Sequence, residues 1–570
     1  MRTVSAPTLP FAQSITLLPL LRRDELGQQA AAQFSASTTP KPLANFWHRS
    51  SQNLSQNLSR NYQQSQSSRS AKLPNLRSKR SKSMFNLPMR PGFTLTSHSD
   101  SGLLGDNKTT AASVDLFGLT SPNVKVSLQG TSLVTTANAA GQFLFTDIPL
   151  SPGTTSLTVA AQNRFGTRRF TTSLERVTAD SVDAVLNWNA TILRTIRAEG
   201  VGGLTAARTL AIAHVAIDDA VNALVGNTRL YRPVAEPIPA SASVAATAAG
   251  AAYQVLSQLY PRQKPQLDAE LLAWLTALSE SETAEASGVA FGQTVADGIL
   301  AARRDDGSDR SLAYQAKIKP GLWRPTPPRF LPAAGVAWRQ VALFVLQQAA
   351  QFRPEAPPRL ASRTYADQLN QVKRLGQIDS TSRTAEQTQI ARFWLGNPGT
   401  STFPGLWNEI AAQTAEQTRT TLLNNARLFA QLNLALVDAS IAAWDTKYTY
   451  RSWRPVTAIR LAGSDGNAAT RAVPDWQSFL ETPAHPDYVS AHSTFAGAAA
   501  MVLTRTFGSY RFTATSFDLP GIRRSFQSFD EAATEAGMSR IYGGIHTMSA
   551  NRAGVRLGRQ VANYVLQVRE

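Results

Sequence analysis

Across residues 178–570, apolar side chains recur at three- and four-residue spacing, in alanine-rich segments separated by polar breaks. V-L-N-W-N-A-T-I-L-R-T-I-R from Val185 is the first of them. Each apolar stripe of that period must bury itself against another, so a long succession of stripes predicts a bundle of helices. The spacing places helices at 204–224, 241–259, 266–278, 283–303, 338–351, 365–376, 384–393, 407–435, 436–447 and 550–567. The proline-bearing stretch 314–334 reads as an extended covering loop. His214 falls inside the apolar pattern of 204–224 and reads as a core residue rather than a ligand.

Ahead of the bundle the period changes to two. Val114 alternates with Leu116, Val124 with Val126 and Leu128, Phe143 with Phe145, and Leu157 with Val159, with turn signals between them. Residues 96–177 are therefore predicted to be a small all-β sandwich. Two segments there, G-L-L-G-D-N-K-T from Gly102 and A-A-G-Q-F-L-F-T-D-I-P-L from Ala139, resemble Ig-like modules of bacterial surface and secreted proteins. That likeness implies a spacer or adhesive module. It also implies an extracellular, cell-surface or periplasmic location, although the apolar patch at 15–21 is short and no small-residue cleavage pattern follows it. The expected fold is mainly α: a large helical bundle, a small Ig-like sandwich before it, and a disordered basic tail over 1–95.

Charge and cysteine content narrow the function classes. The net charge of +18 suggests a nucleic-acid partner, yet residues 1–92 alone hold 13 Lys and Arg against Asp24 and Glu25. Most of the excess is tail, and a solvated arm explains it without any nucleic acid. The chain has no cysteine, which excludes disulfides, thiolate nucleophiles and cysteine-ligated metals. No run of uninterrupted apolar residues has the length a membrane helix needs, so no transmembrane segment is expected.

The chemistry concentrates near the C-terminus. W-D-T-K-Y-T-Y-R-S-W-R-P begins at Trp444, H-P-D-Y-V-S-A-H at His485 and S-R-I-Y-G-G-I-H at Ser539. Of six histidines in the chain, three (His485, His492 and His546) lie in these motifs. Lys447, Arg454 and Arg540 carry no adjacent acidic partner, and the seven-residue step from Lys447 to Arg454 predicts one shared helical face. Ser490 and Ala491 precede an apolar run, which places them at a helix N-terminus where free N–H groups favour an anion. Cations, an anion-binding helix end and two proton-moving groups describe a site for a tetrahedral or trigonal-bipyramidal oxyanion.

These three motifs resemble the vanadium haloperoxidase and type 2 phosphatidic-acid phosphatase superfamily, whose pattern is K-x6-R-P, then P-S-G-H, then S-R-x5-H. The first and last are intact at 447–455 and 539–546; in the middle one Val489 and Ala491 replace Pro and Gly. The resemblance implies vanadate as cofactor, held by Lys447, Arg454, Ser490, Ala491 and Arg540, with His546 as the metal ligand and His492 as the acid–base group. It implies halide oxidation by hydrogen peroxide to hypohalous acid, which halogenates small organic acceptors, in a homo-oligomer of two or more chains. Lys447 would assist by polarising bound peroxide. Trp444, one helical turn before Lys447, would wall the site. His485 stands seven residues before His492, where the resemblance places an aromatic residue in fungal chloroperoxidases and a histidine in bromoperoxidases, so bromide is the expected halide. A family element that usually carries an aspartate beside the site corresponds to F-W-L-G-N-P-G-T from Phe393, where Gly396 and Asn397 stand instead.

Two alternatives stay open on the sequence. The same cradle suits an acid phosphatase with His546 as nucleophile and His492 protonating the leaving group. A helical domain without activity, carried by a surface-binding protein, is the other.

Overall fold

The computed structural model describes residues 87–95, 107–109, 113–139, 141–177, 182–226, 229–235, 237–519 and 522–569. The expected tail up to residue 86 lies outside them. Strand β1 (Gly92–Leu95) pairs antiparallel with β3, so the sheet begins inside the stretch expected to be tail.

The β elements ahead of the helices form two sheets. β1, β3 (Ser113–Leu119) and β6 (Gln142–Pro149) make one, in the order β1-β3-β6. β2 (Lys108–Thr109), β8 (Gly166–Arg176), β7 (Gly153–Asn163), β4 (Lys125–Leu128) and β5 (Val134–Thr136) make the other, in that order, with β2 parallel to β8 and the remaining pairs antiparallel. Leu116, Phe143 and Phe145 from the first sheet share one core with Val126, Val159 and Leu174 from the second. The alternating residues read from the sequence are those that point inward, as a period of two requires. β8 alternates exposed and half-buried residues from Arg169 to Arg176 with Leu174 alone fully buried, too weak an apolar pattern to mark it in the sequence.

The helices follow as α1 (Ala184–Glu199), α2 (Gly203–Val225), α3 (Val244–Leu259), α4 (Lys264–Ala277), α5 (Glu282–Arg303), α6 (Arg363–Leu375), α7 (Ala385–Phe393) and α8 (Thr402–Thr418). After them come α9 (Leu422–Tyr450), α10 (Pro455–Arg460), α11 (Ala491–Phe507), a hairpin of β9 (Phe512–Thr515) and β10 (Arg523–Phe526), α12 (Phe529–Tyr542) and α13 (Met548–Arg569). α9 is the axis of the bundle and packs on α2, α11 and α13. By length and composition it could cross a membrane, contrary to the sequence expectation, but 94% of its apolar window is buried inside the protein.

Two helix expectations fail for tertiary reasons. Only Trp338–Gln340 of 338–351 is helical, as a single 3-10 turn. The Asp438 carboxylate on α9 accepts the N–H groups of Phe344, Val345 and Leu346, which pulls that segment into an irregular clasp. The expected 407–435 helix is split: α8 ends at Arg419 in a left-handed conformation, and Thr421 caps α9 anew through Asn424 N–H. His214 is core as expected, stacked on Phe429 with a centroid separation of 4.9 Å and bonded through Nε2 to Asn189.

Candidate active site

The three motifs meet where the ends of α9, α11 and α12 converge with the loop before α13. Lys447 lies in the last turn of α9. The helix stops three residues later, because Arg451 takes φ +52° and Pro455 holds Arg454 extended as the N-cap of α10. Lys447 and Arg454 therefore do not share one helical face; a turn at 451–453 folds them together instead. Ser490 is the N-cap of α11 and accepts the Ser493 N–H. Ala491 is the first helical residue and is absent from the positive-φ positions, so alanine replaces glycine there without strain. As the first helical N–H, that of Ala491 has no carbonyl in the preceding turn to bond. Gly554 on α13 permits the close approach of α11: a Cβ there would sit 2.7 Å from Ser490 O.

Each cation is buried and locked. Lys447 Nζ donates to the carbonyls of Pro486 (2.8 Å), Asp487 (3.3 Å) and Val489. Arg454 donates from Nε to His485 O (2.6 Å), from Nη1 to Ile545 O (2.7 Å) and His546 Nε2 (3.1 Å), and from Nη2 to His485 Nδ1 (3.0 Å). Arg540 donates from Nε to Ser539 Oγ (2.9 Å) and from Nη2 to Ala391 O (3.2 Å). Lys447 and Arg454 are 0% exposed and Arg540 2%, and among the described residues none of them pairs with a carboxylate. Burial pushes Arg454 down to about 10 and Arg540 down to about 9. Burial and then the neighbouring Arg454 push Lys447 well below the ordinary lysine range. Three desolvated positive charges in one place are costly unless an anion joins them.

The nearby carboxylate that the sequence reading passed over is Asp487, the acid in H-P-D-Y. It accepts from His546 Nδ1 at 2.7 Å and from Thr547 Oγ1 at 2.8 Å, so its hydrogen bonds hold His546, while its charge also favours the cationic forms of Arg454 and Lys447. With Nδ1 protonated, His546 presents the Nε2 lone pair toward Arg454. Burial first, then Arg454 and Lys447, hold His546 well below the usual imidazole range.

His492 sits in the first turn of α11. Its Nε2 lies 2.9 Å from Leu395 O and 3.4 Å from Arg540 Nη1. Nε2 can donate to Leu395 O or accept from Arg540 Nη1 but not both, and the shorter contact assigns the proton to Nε2, donated to Leu395 O. Burial and then Arg540 keep this ring neutral as well. Phe403 of α8 covers its face at 4.2 Å between centroids, a wall that no local sequence signal announced. Trp444 lies with its ring 5.7 Å from Lys447 Nζ and 5.0 Å from the His485 ring. The covering loop reaches this wall: Ala334 O accepts from Tyr448 Oη at 2.6 Å, and Gly335 packs on the Trp444 indole. His485, read as a neighbour of His492, is foremost the acceptor that orients Arg454.

An oxyanion fits this donor set. Fixed cations outnumber the one carboxylate among them, a helix N–H faces the same place, and His546 offers one oriented nitrogen. No separate cluster of three or more acidic, histidine or cysteine side chains suited to a metal cation occurs among the described residues.

Comparison with known proteins agrees with the geometry. Residues 427–570 match the family model of the VCPO second helical-bundle domain. The chain is 25% identical over 476 residues to the vanadium chloroperoxidase of Curvularia inaequalis, covering 64% of this chain and 78% of that protein. The crystal structure of the first bacterial vanadium-dependent iodoperoxidase superposes with a TM-score of 0.61 at 29% identity, covering 69% of this chain and 96% of the other. A holo-type bacterial vanadium-dependent chloroperoxidase gives 0.50 at 19% identity, over 64% and 92%, a likeness of fold alone. The helical part of the chain is thus similar to vanadium haloperoxidases in sequence and in fold.

Proposed function

We propose that the chain is a vanadate-dependent haloperoxidase that uses hydrogen peroxide to oxidise halide, with bromide favoured, and releases hypohalous acid to halogenate small organic acceptors. The observation that carries this reading is the set of three buried cations without a carboxylate partner, grouped around an imidazole nitrogen that Asp487 orients. Bound vanadate would supply the Lewis acidity that activates peroxide toward a halide.

The protein's own residues do the rest. Arg454 and Arg540 hold anion oxygens in fixed directions, because each guanidinium is already pinned by carbonyls or a hydroxyl. Lys447 has all three N–H directions turned to carbonyls, so it engages an oxyanion by giving up the longest, to Asp487 O at 3.3 Å. Ser490 and the Ala491 N–H close the helix side of the cradle. His546 Nε2 is the ligand. His492 is the acid–base group: Leu395 O holds its Nε2–H, so the ring takes up a further proton at Nδ1. Peroxide, bromide and one proton give hypobromous acid and water, and His492 delivers that proton. Trp444 and Phe403 keep the surroundings apolar, which strengthens each charge interaction inside.

Bromide preference rests on His485, whose Nδ1 accepts from Arg454 and so ties the wall residue to the cradle. Competitive turnover of chloride, bromide and iodide tests it; chloride turnover equal to that of bromide contradicts it. The same cradle would bind phosphate. Vanadate-inhibited hydrolysis of p-nitrophenyl phosphate, with no halogenation in any halide, would replace the haloperoxidase reading with a phosphatase using His546 as nucleophile.

A further inference from the structure

The motif comparison leaves a gap at Gly396 and Asn397, where a carboxylate is expected beside the site and the sequence has none. The structure puts a carboxylate there from elsewhere. Asp518, in the turn between β9 and β10, accepts the Gly396 N–H through Oδ2 at 2.7 Å and the Asn397 side-chain amide through Oδ1 at 2.7 Å. The turn is itself fastened to the same segment: Ser516 Oγ donates to Phe393 O at 2.6 Å and accepts the Asp518 N–H at 3.3 Å. Between these anchors lies Leu395, whose carbonyl receives the His492 Nε2–H. A few residues earlier, Ala391 O receives Arg540 Nη2. Against the burial that disfavours it, the Asp518 charge also favours the cationic form of Arg540.

We propose that Asp518 is a positioning residue of the oxyanion site: it fixes the 391–397 segment so that Leu395 O orients His492 and Ala391 O orients Arg540, taking over from another part of the chain the place left without a carboxylate at Gly396–Asn397. The role rests on the oxyanion reading given above. Second-layer partners of this kind hold the groups that touch a ligand in their working orientation. A carboxylate suits the task because it accepts from Gly396 N–H and the Asn397 amide at once; an amide side chain in its place has one acceptor oxygen, and Asn397 would have to flip to stay bonded.

Charge and position predict opposite signs, which makes the test decisive. Removing a negative charge near an anion site strengthens anion binding if charge is all that matters. Losing the positioning weakens it. Orthovanadate and inorganic phosphate are titrated calorimetrically into metal-free full-length protein and into Asp518→Ala, Asp518→Asn and Asn397→Ala. Asn397 is exposed, so its variant keeps the fold even if Asp518→Ala does not. The expected result is a loss of affinity of about tenfold or more for Asp518→Ala, with smaller losses for Asp518→Asn and Asn397→Ala. The His492 Nε2–H resonance in 15N-histidine spectra should shift in Asp518→Ala while the His214 resonance stays put. Affinities equal to or above wild type in Asn397→Ala and the Asp518 variants, with an unmoved His492 signal, overturn the positioning role alone. A wild-type protein that binds neither anion overturns the oxyanion reading and the positioning role with it.

Discussion

Asp487 and His546 form a contact of 2.7 Å between a carboxylate oxygen and Nδ1, and that contact decides which ring nitrogen is free for a ligand. Asp487→Ala should leave the ring free to turn and to change tautomer. Affinity for orthovanadate should then fall by about 10- to 100-fold, read as the vanadate concentration giving half-maximal halogenation. An unchanged half-maximal concentration would mean that the ring is held by Arg454 alone.

Anion binding should stabilise the folded protein, since the three buried cations outnumber the carboxylates near them. Orthovanadate or phosphate at a hundredfold excess over its Kd contributes about 2.7 kcal/mol, visible as a rise in Tm. Arg540→Ala should abolish most of that rise. A wild-type Tm indifferent to both anions would show that the cations are satisfied without a ligand.

Gly335 supports the Trp444 wall. It has φ +69°, and a Cβ there would lie 2.4 Å from Trp444 Nε1. Gly335→Ala should cost about 1–3 kcal/mol and lower kcat/KM, because the indole beside Lys447 must shift. Chemical denaturation and steady-state kinetics check the two parts separately.

His214 gives the fold an acid-sensitive point far from the chemistry. Burial pushes its imidazole down to about 3, while its ring stays stacked on Phe429. The unfolded chain binds a proton there below the ordinary imidazole value near 6.5, and the folded chain does not. Its contribution is therefore present above that value and lost as pH falls toward 3, at about 1.4 kcal/mol per pH unit. His214→Gln keeps a partner for Asn189 and should flatten stability against pH over that window. An unchanged slope would assign the acid sensitivity to other groups.

How much of this was legible in the sequence follows from the range of each interaction. The cradle residues were readable because each motif packs its chemistry into a dozen residues or fewer, and Ser490 announced its helix by its own capping chemistry. The folding of Lys447 against Arg454 was misread, since a seven-residue step looks helical until Arg451 turns left-handed before Pro455. The irregular 341–351 segment depends on Asp438, more than ninety residues away in sequence. Asp518 reaches Gly396 across 122 positions, and nothing local to either residue marks the pairing. Apolar periodicity reports what must be buried; it does not report which distant carboxylate will claim a backbone N–H.

The most direct test of the central claim is a titration of metal-free protein with orthovanadate, following bromination of monochlorodimedone by bromide and peroxide. The account predicts no turnover without vanadate, activity that saturates at one vanadate per chain, and suppression by phosphate competing for Lys447, Arg454 and Arg540. Absence of halogenation at saturating vanadate, or equal halogenation without it, would contradict the assignment of this cradle as a vanadate-dependent haloperoxidase site.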